Sequence, residues 1–327
     1  MNKRQRLAFL AWTLLAPGLV HAQSSQPAAA SWPTKPVRIL VGSSPGGGTD
    51  AMARVVAERL GAAFKVSFIV ENKPGASNTL AADATAKSTD EHTMVMGVST
   101  AHAIAPYILK LPYDNRKDLV PVAFVGSVPN VLVVNNDLKA KDVGDLIAMA
   151  KSKPDQLNYA SSGSGSTQHI AGELFKEATG TSIVHIPYKG SGPALLDVMG
   201  GMVQMSFDTM ASVLPHIQTG KVKALAVASP QRSPKLPNVP TLAESGVKGA
   251  EMGAWYGLYM PAATPKAVQQ RVHDEVNKLL ANPDARKRLE SIGAEINPMT
   301  QAEFIAFHEK ENARYAELIK RRGIKAD

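Results

Sequence analysis

Cysteine is absent from this chain of 327 residues. Its absence excludes disulfide bonds, a thiol nucleophile, a zinc–thiolate centre and an N-terminal cysteine that carries a lipid anchor. Aromatic residues are few, at 6%, whereas the hydrophobic fraction of 44% is ordinary for a soluble globular protein. The length is sufficient for two domains of typical size.

Long apolar runs are absent after the N-terminus, where a basic start at residues 3–6 precedes an apolar run at 7–20. The run is short for a membrane span and is interrupted by Pro17-Gly18, while Val20-His21-Ala22 fits a small-residue cleavage site. A cleaved secretory signal is therefore favoured over a membrane anchor. We predict a signal peptide at 1–22, a disordered lead-in at 23–31 and no stable membrane insertion after cleavage.

The positive charge is modest and not gathered into long clusters. Residues 1–22 carry three basic and no acidic side chains, so their removal lowers the formal charge from +8 to +5. No run of basic residues is longer than three. This balance slightly favours anionic solutes and is not typical of a nucleic-acid-binding protein.

The stretch 37–50, VRILVGSSPGGGTD, indicates a buried strand, a glycine-rich turn and the start of a helix. Glycines let backbone N–H groups approach a ligand, and a helix start adds partial positive charge, so such a turn can hold an anion. The nucleotide-binding spacings of the P-loop and of G-x-G-x-x-G are both missing. A plain tight turn remains the alternative. The candidate ligand-binding residues here are Ser43, Ser44, Gly46, Gly47, Gly48, Thr49 and Asp50.

Strands predicted at 37–41, 66–70 and 93–98 alternate with helices, which argues for a parallel sheet with helices on its faces. Ligands of such sheets bind at the carboxyl ends of the strands. The loops at 74–78 and 99–102 should share that edge with the first loop. They add the candidates Ser77, Asn78, Thr100 and His102.

The same rhythm restarts after two strand-like runs at 119–125 and 131–134. A strand at 157–160, a small-residue turn at 161–169 and a helix at 170–178 form a second anion-type loop. Further strands are predicted at 183–186, 203–207, 224–228 and 254–261. The candidates in this part are Ser162, Gly163, Ser164, Gly165, Ser166, Thr167, His169, Tyr188, Lys189 and Asp208.

Two α/β lobes follow from this restart, one at 32–128 plus 251–327 and the other at 129–250. The C-terminal helices, predicted from 265 onward, should pack on the first lobe. If the two anion-type loops face each other across a cleft, a ligand with negative groups is held from both sides.

A set of motifs spread over almost the whole mature chain resembles the tripartite tricarboxylate transporter substrate receptors, the Bug family. The motifs include PGGGTD, ENKPGASN, NYASSGSGSTQHIAGELF, HIPYKGSGPALLDVMGG and WYGLYMPAATP. The resemblance implies an α/β, two-lobe periplasmic-binding-protein fold of type II (Venus flytrap) with an interlobe cleft. It also implies a periplasmic receptor that delivers a small carboxylate to a membrane permease, without catalytic chemistry. Ligand contacts in the family come from the loops that match 43–50 and 161–169.

One departure from the family concerns Gly42-Ser43-Ser44, where many members carry an aromatic residue. The change makes the loop smaller and more polar, so it favours a compact polar acid. For Asp50 and His169, structural bracing is favoured over ligand contact. His102 and Asp208 remain open between the two roles, and Lys189 is the best cationic candidate, although a solvated lysine is an equal alternative.

Other function classes were weighed against a receptor. A serine hydrolase using Ser164 and His169 lacks the G-x-S-x-G turn and a reason for the two side chains to pair productively. A periplasmic sensor that presents bound ligand to a signalling partner stays open. The eight histidines are scattered, so no metal site or cofactor is expected, and the receptor is expected to be a monomer.

Overall fold

The computed structural model of the protein describes residues 31–325. The predicted signal peptide lies outside the described residues, as does all but the last residue of the lead-in. Within residues 31–325, no helix is both long enough and apolar enough to cross a membrane.

The first motif forms as a strand, a turn and a helix. The strand β1 covers Val37–Val41, with every residue buried except Arg38. The helix α1 covers Gly48–Phe64 and so begins inside the glycine-rich stretch. Its buried face includes Met52, Val56 and Leu60, which matches the helical spacing of the apolar residues.

Most of the other predicted elements form, with boundaries shifted by up to three residues, whereas the helices at 191–199 and 210–218 were given no predicted bounds. The other strands are β2 (Phe68–Asn72), β3 (Thr93–Val98), β4 (Leu119–Val134), β5 (Asn158–Ser161), β6 (Val184–Pro187), β7 (Met205–Thr209), β8 (Lys223–Val227) and β9 (Gly253–Pro261). The other helices are α2 (Thr79–Ala86), α3 (Val143–Ser152), α4 (Thr167–Thr179), α5 (Ser191–Met199), α6 (Met210–Gln218), α7 (Lys266–Ala281), α8 (Pro283–Ser291) and α9 (Gln301–Arg322). Short helical turns occupy Ala76–Asn78, Thr100–Ile104 and Ala105–Tyr107.

The strands lie in the order β2-β1-β3-β9-β4-β7-β5-β6, and β8 also pairs with β4. β1 is parallel to β2 and β3, and β5 is parallel to β6 and β7. The carboxyl ends of parallel strands meet at one edge, so the loops after β1, β2 and β3 lie together, as do those after β5, β6 and β7.

β4 joins the two parts of this sheet. Its residues 119–129 pair with β9, and residues 130–134 pair with β7 while 131–134 also pair with β8. We call β1, β2, β3, β9 and residues 119–129 the first half, and β5 to β8 with residues 130–134 the second half.

The prediction of two separate strands at 119–125 and 131–134 was wrong, because one strand of 16 residues covers both. The register with β9 shifts between Pro121 and Ala123 and again between Phe124 and Gly126. Such irregularities bend a strand without ending its pairing. In the stretch between the two predicted strands, Gly126 lies at an irregularity and Pro129 pairs with Gly253, so neither residue ends the strand.

The C-terminal helices contact the first half. α7 packs against α1 and β4, and α9 packs against β4 and the turn Thr100–Ile104. The proposed lobe limits at residues 128/129 and 250/251 lie beside the change of β4 pairing and the start of β9, and they stay a prediction.

Candidate functional site

A polar cavity lies where the two halves face each other. Its walls come from the ends of strands and the starts of helices in both halves, and its volume is about 20 Å³. The lining residues are Ser43, Gly48, Thr49, Asn78, Val98, Thr100, Ser162, Thr167, Gln168, Ser191, Thr209, Ala254 and Tyr256. A space of this size holds about one water molecule, so a larger ligand requires the halves to move apart.

Contacts across the cleft hold it closed. The Ser44 hydroxyl donates a hydrogen bond of 2.7 Å to the Lys189 carbonyl. The Ser77 hydroxyl donates to the Ser164 carbonyl, which lies in the turn before α4. Residues of both predicted anion-type loops line the cavity, Ser43 and Thr49 from the first and Ser162 and Thr167 from the second.

Volume alone does not identify the site, because a larger groove of about 380 Å³ lies beside β4 and β9. That groove is lined largely by apolar and aromatic side chains, among them Phe124, Met252, Trp255 and Phe307, and by none of the predicted ligand-binding residues. The small cavity instead gathers polar groups from several loops, which is the arrangement expected of a binding site.

Helix starts converge on the cavity. Residues at the beginning of α1 (Gly48, Thr49), α4 (Thr167) and α5 (Ser191) line it, and so does Thr209, the N-cap residue of α6. The first N–H groups of a helix lack intrahelical acceptors and carry partial positive charge. No lysine or arginine stands among the lining residues that the structure describes. The cavity is therefore electropositive through backbone groups, which suits an anion.

Asp50 braces the first loop and does not line the cavity. Its carboxylate accepts hydrogen bonds from the Gly46 N–H at 3.0 Å, Arg54 at 2.9 Å and Asn72 at 3.0 Å. Burial opposes ionisation of Asp50, but the hydrogen bonds from Arg54, Gly46 and Asn72 outweigh it and hold the pKa of the carboxyl below its usual range. This placement agrees with the structural role favoured from the sequence.

The second loop is held by its own helix. The Ser166 hydroxyl caps α4 by accepting from the His169 N–H at 3.2 Å. The His169 ring accepts the Gly165 N–H at Nδ1 over 2.9 Å and stacks on His185 with 4.2 Å between ring centroids. His169 therefore shapes the loop, which again agrees with the role favoured for it.

His102, which the sequence left open between a ligand contact and a structural role, lies outside the cavity lining. The side chain is fully buried, stacks on Tyr259 with 3.9 Å between ring centroids and hydrogen-bonds Asn115 at 2.8 Å through Nδ1. Burial, reinforced by nearby His308, lowers the pKa of His102 to about 3. Its backbone follows the end of β3, but the side chain turns into the core beneath the sheet edge.

Tyr188 and Lys189 also lie outside the cavity lining. The Tyr188 hydroxyl donates to Asp197 at 2.6 Å, and burial with this hydrogen bond raises the pKa of the phenol to about 12. The Lys189 side chain is exposed, and only its backbone carbonyl takes part in closing the cleft. The cationic anchor considered from the sequence is thus absent from the lining.

Asp208 lies directly behind the cavity wall. Its Oδ1 accepts from Ser191 at 2.8 Å, Ser212 at 2.6 Å, the Thr209 N–H at 2.7 Å and Gln168 at 3.3 Å. Burial raises the pKa of Asp208, and the hydrogen bonds from these groups act in the opposite direction. The carboxyl thus orders the wall without lining it.

Several lining residues were not among the predicted ones. They are Val98, Gln168, Ser191, Thr209, Ala254 and Tyr256. Ser191 and Thr209 follow strand ends and begin helices, so the rule that ligands bind at strand ends was sufficient to find them. Tyr256 belongs to a strand whose residues read as core, and no local sequence signal marks its hydroxyl as part of a site.

The profile described as "Tripartite tricarboxylate transporter family receptor" matches residues 52–324. The chain belongs to this family. It is 34% identical over 328 residues to the protein BugT of Bordetella pertussis, with 99% of each chain covered.

Solved structures of similar receptors share the fold of this one. R. palustris Rpa4515 with adipate is 35% identical, with a TM-score of 0.87 over 90% of this chain and 99% of that chain. MatC from Rhodopseudomonas palustris with bound malate is 29% identical, with a TM-score of 0.82 over 88% of this chain and 100% of that chain. The receptor therefore has the two-lobe periplasmic-binding-protein fold.

Metal binding has no support in the described part of the receptor, residues 31–325. There, no group of three or more histidine, aspartate or glutamate side chains is close enough to hold a metal ion.

Proposed function

We propose that this receptor captures a small carboxylate in the cleft and delivers it to the membrane permease of a tripartite tricarboxylate-type transporter. The convergence of helix starts from both halves on one cation-free cavity carries the proposal. Relatives support the ligand class, since one similar structure holds adipate and another holds malate.

Backbone donors are sufficient for useful affinity. A hydrogen bond to a charged group contributes about 1.5–3 kcal/mol, and micromolar binding corresponds to about 8 kcal/mol. Several N–H donors reach this total without an arginine, and such a site releases its ligand readily. Release matters for a receptor that must pass its ligand to a permease.

We further propose that the receptor works in the periplasm and has no catalytic role. Family membership supports both. The geometry of His169 also argues against a serine hydrolase, because its Nδ1 accepts a backbone N–H where a triad histidine donates to a carboxylate. A sensor that presents bound ligand to a signalling partner remains the alternative, and it uses the same cleft.

A thermal-shift screen against a carboxylate panel tests the ligand class. Ligand at 100 times its dissociation constant stabilises the folded state by about 2.7 kcal/mol, and one kcal/mol moves the melting temperature by roughly 2–4 °C for lobes of this size. We therefore expect the correct carboxylate to raise the melting temperature by roughly 5–10 °C. Neutral sugars and amides serve as controls. A clear shift with a sugar and none with any mono-, di- or tricarboxylate would refute the anion assignment.

A pair of variants tests whether the second loop or a lysine anchors the ligand. Gly165 has a φ of +77° and donates its N–H to His169, and proline permits neither. We expect Gly165→Pro to weaken binding at least tenfold, whereas Lys189→Ala should change it by less than twofold because that side chain is exposed. Calorimetry on both variants, with melting curves to confirm folding, gives the order. The reverse order would move the anchor to Lys189.

A further inference from the structure

The second-half wall of the cavity has a fixed direction of hydrogen bonding. Asp208 sets it, since Oδ1 accepts from four groups at 2.6–3.3 Å. One of the four is the Thr209 backbone N–H, which can only donate, so Oδ1 acts as a hydrogen-bond acceptor. Asp208 Oδ2 is buried and has no hydrogen-bond partner among the described residues.

The Gln168 amide extends this fixed order of donors and acceptors to residues that line the cavity. Its Nε2 donates to Ser191 at 3.1 Å and to Asp208 at 3.3 Å. The opposite amide orientation would place an oxygen against the carboxylate oxygen, so the amide has one favourable orientation. The Gln168 Oε1 consequently faces the other way and accepts from Ser162 at 2.8 Å and Thr167 at 3.4 Å.

Three cavity hydroxyls thus have their protons committed. Ser162 and Thr167 donate to Gln168, and Ser191 donates to Asp208. All three residues line the cavity, and a hydroxyl whose proton is committed elsewhere can only accept a hydrogen bond from a ligand there. On the facing wall, the buried Asn78 amide places Oδ1 without a donor among the described residues.

We propose that this wall selects ligands that carry a hydrogen-bond donor, a hydroxyl or a protonated amine, beside the carboxylate. The inference rests on the proposed carboxylate receptor function and specifies its substrate class. Helix starts receive the carboxylate, and the side-chain oxygens receive the donor. An unsubstituted carboxylate leaves these acceptors facing carbon, which costs the desolvation of each buried oxygen.

Matched ligand series measured by calorimetry isolate the effect. Each series keeps one carbon skeleton and changes only the substituent: propionate, lactate and alanine; succinate, malate and aspartate; glutarate, 2-hydroxyglutarate and glutamate. In any skeleton that binds, we expect the hydroxy or amino member to bind roughly tenfold more tightly than the unsubstituted one, the usual effect of one satisfied hydrogen bond. The hydroxy and amino members show which donor is preferred.

Variants then test the mechanism. Asp208→Ala removes the oxygen that orients Ser191 and Gln168, so the advantage of the donor-bearing ligand should fall below about threefold. The double variant Ser162→Ala/Thr167→Val removes two of the acceptors without touching Asp208, and should give the same loss even if Asp208→Ala does not fold. Asp197→Ala is the matched control, since Asp197 pairs with Tyr188 away from the cavity and should keep the advantage.

The outcomes distinguish a failure of the donor selectivity from a failure of the carboxylate receptor function. If unsubstituted acids bind as tightly as their hydroxy and amino partners, the selectivity is refuted while the carboxylate receptor stands. An equal loss of affinity for all members in the double variant would show that the hydroxyls donate to the carboxylate, and this also refutes the proposal. If no carboxylate of any skeleton binds, both proposals fall.

Discussion

Replacing Gly48 by alanine is expected to weaken ligand binding by roughly 30- to 150-fold. A Cβ atom at this position would lie 2.5 Å from the Thr209 hydroxyl oxygen and 2.8 Å from the Tyr256 hydroxyl oxygen. Thr209 belongs to the facing half, so the added methyl group opposes closure of the cleft. Overpacking of this kind costs about 2–3 kcal/mol, which corresponds to that range of affinity.

Calorimetry with the carboxylate that gives the largest thermal shift measures the loss of affinity, and small-angle scattering shows whether the variant still closes on ligand. Gly61→Ala is the matched control, because Gly61 lies on the same helix and its Cβ would meet its nearest neighbour at 3.4 Å, an ordinary contact. Alanine favours the helix at both positions, so both variants should fold. Binding by Gly48→Ala within threefold of the wild-type value would contradict the closed-cleft interpretation.

Acidification is expected to destabilise the protein through His102. Its folded-state pKa of about 3 lies below the ordinary value of 6.5, so the unfolded state binds the proton first as the pH falls. Stability from this group is therefore present above pH 6.5 and is lost progressively toward pH 3. Between pH 7 and pH 4.5 the loss amounts to about 2–3 kcal/mol of the free energy of unfolding.

Denaturant unfolding of the wild type and of His102→Asn at both pH values checks this. Asparagine retains an amide donor for Asn115 and does not titrate, so the variant should lose about 2–3 kcal/mol less than the wild type over this range. His308, whose pKa burial also lowers, and the carboxyl groups titrate in both proteins and largely cancel in the difference. Parallel pH profiles for the two proteins would show that His102 is not the buried neutral group described.

His102 shows that the strand-end rule predicts where the backbone lies but not where the side chain points. The sequence places residues 99–102 after a strand, and the backbone does lie at that edge. A short turn follows, and its side chains point in several directions. Thr100 lines the cavity, whereas His102 stacks on Tyr259 in the core. Packing against β9, more than 150 residues later in the chain, decides that the His102 side chain faces the core and not the cavity.

The polar residues of the cavity wall likewise depend on tertiary structure for their arrangement. Gln168, Ser191 and Asp208 are separated by 23 and 17 residues along the chain, and each reads locally as a helix-start or strand-end residue. Their hydrogen bonds arise because β5 and β7 are neighbours in the sheet while α4 and α5 begin at its edge. No residue spacing in the sequence predicts which of these amide and hydroxyl groups donates a hydrogen bond and which accepts it.

The sequence by itself determined the alternation of strands and helices, the two strand–turn–helix loops and the family, because hydrophobic periodicity, glycine-rich turns and extended motifs are local properties of a chain. The tertiary structure alone decided that β4 is one continuous strand, that Tyr256 completes the cavity, and that Lys189 stays outside it. These features depend on which distant strands pair and which side of a residue faces a neighbour. Such contacts are set by the packing of the whole sheet, and neighbouring residues do not encode them.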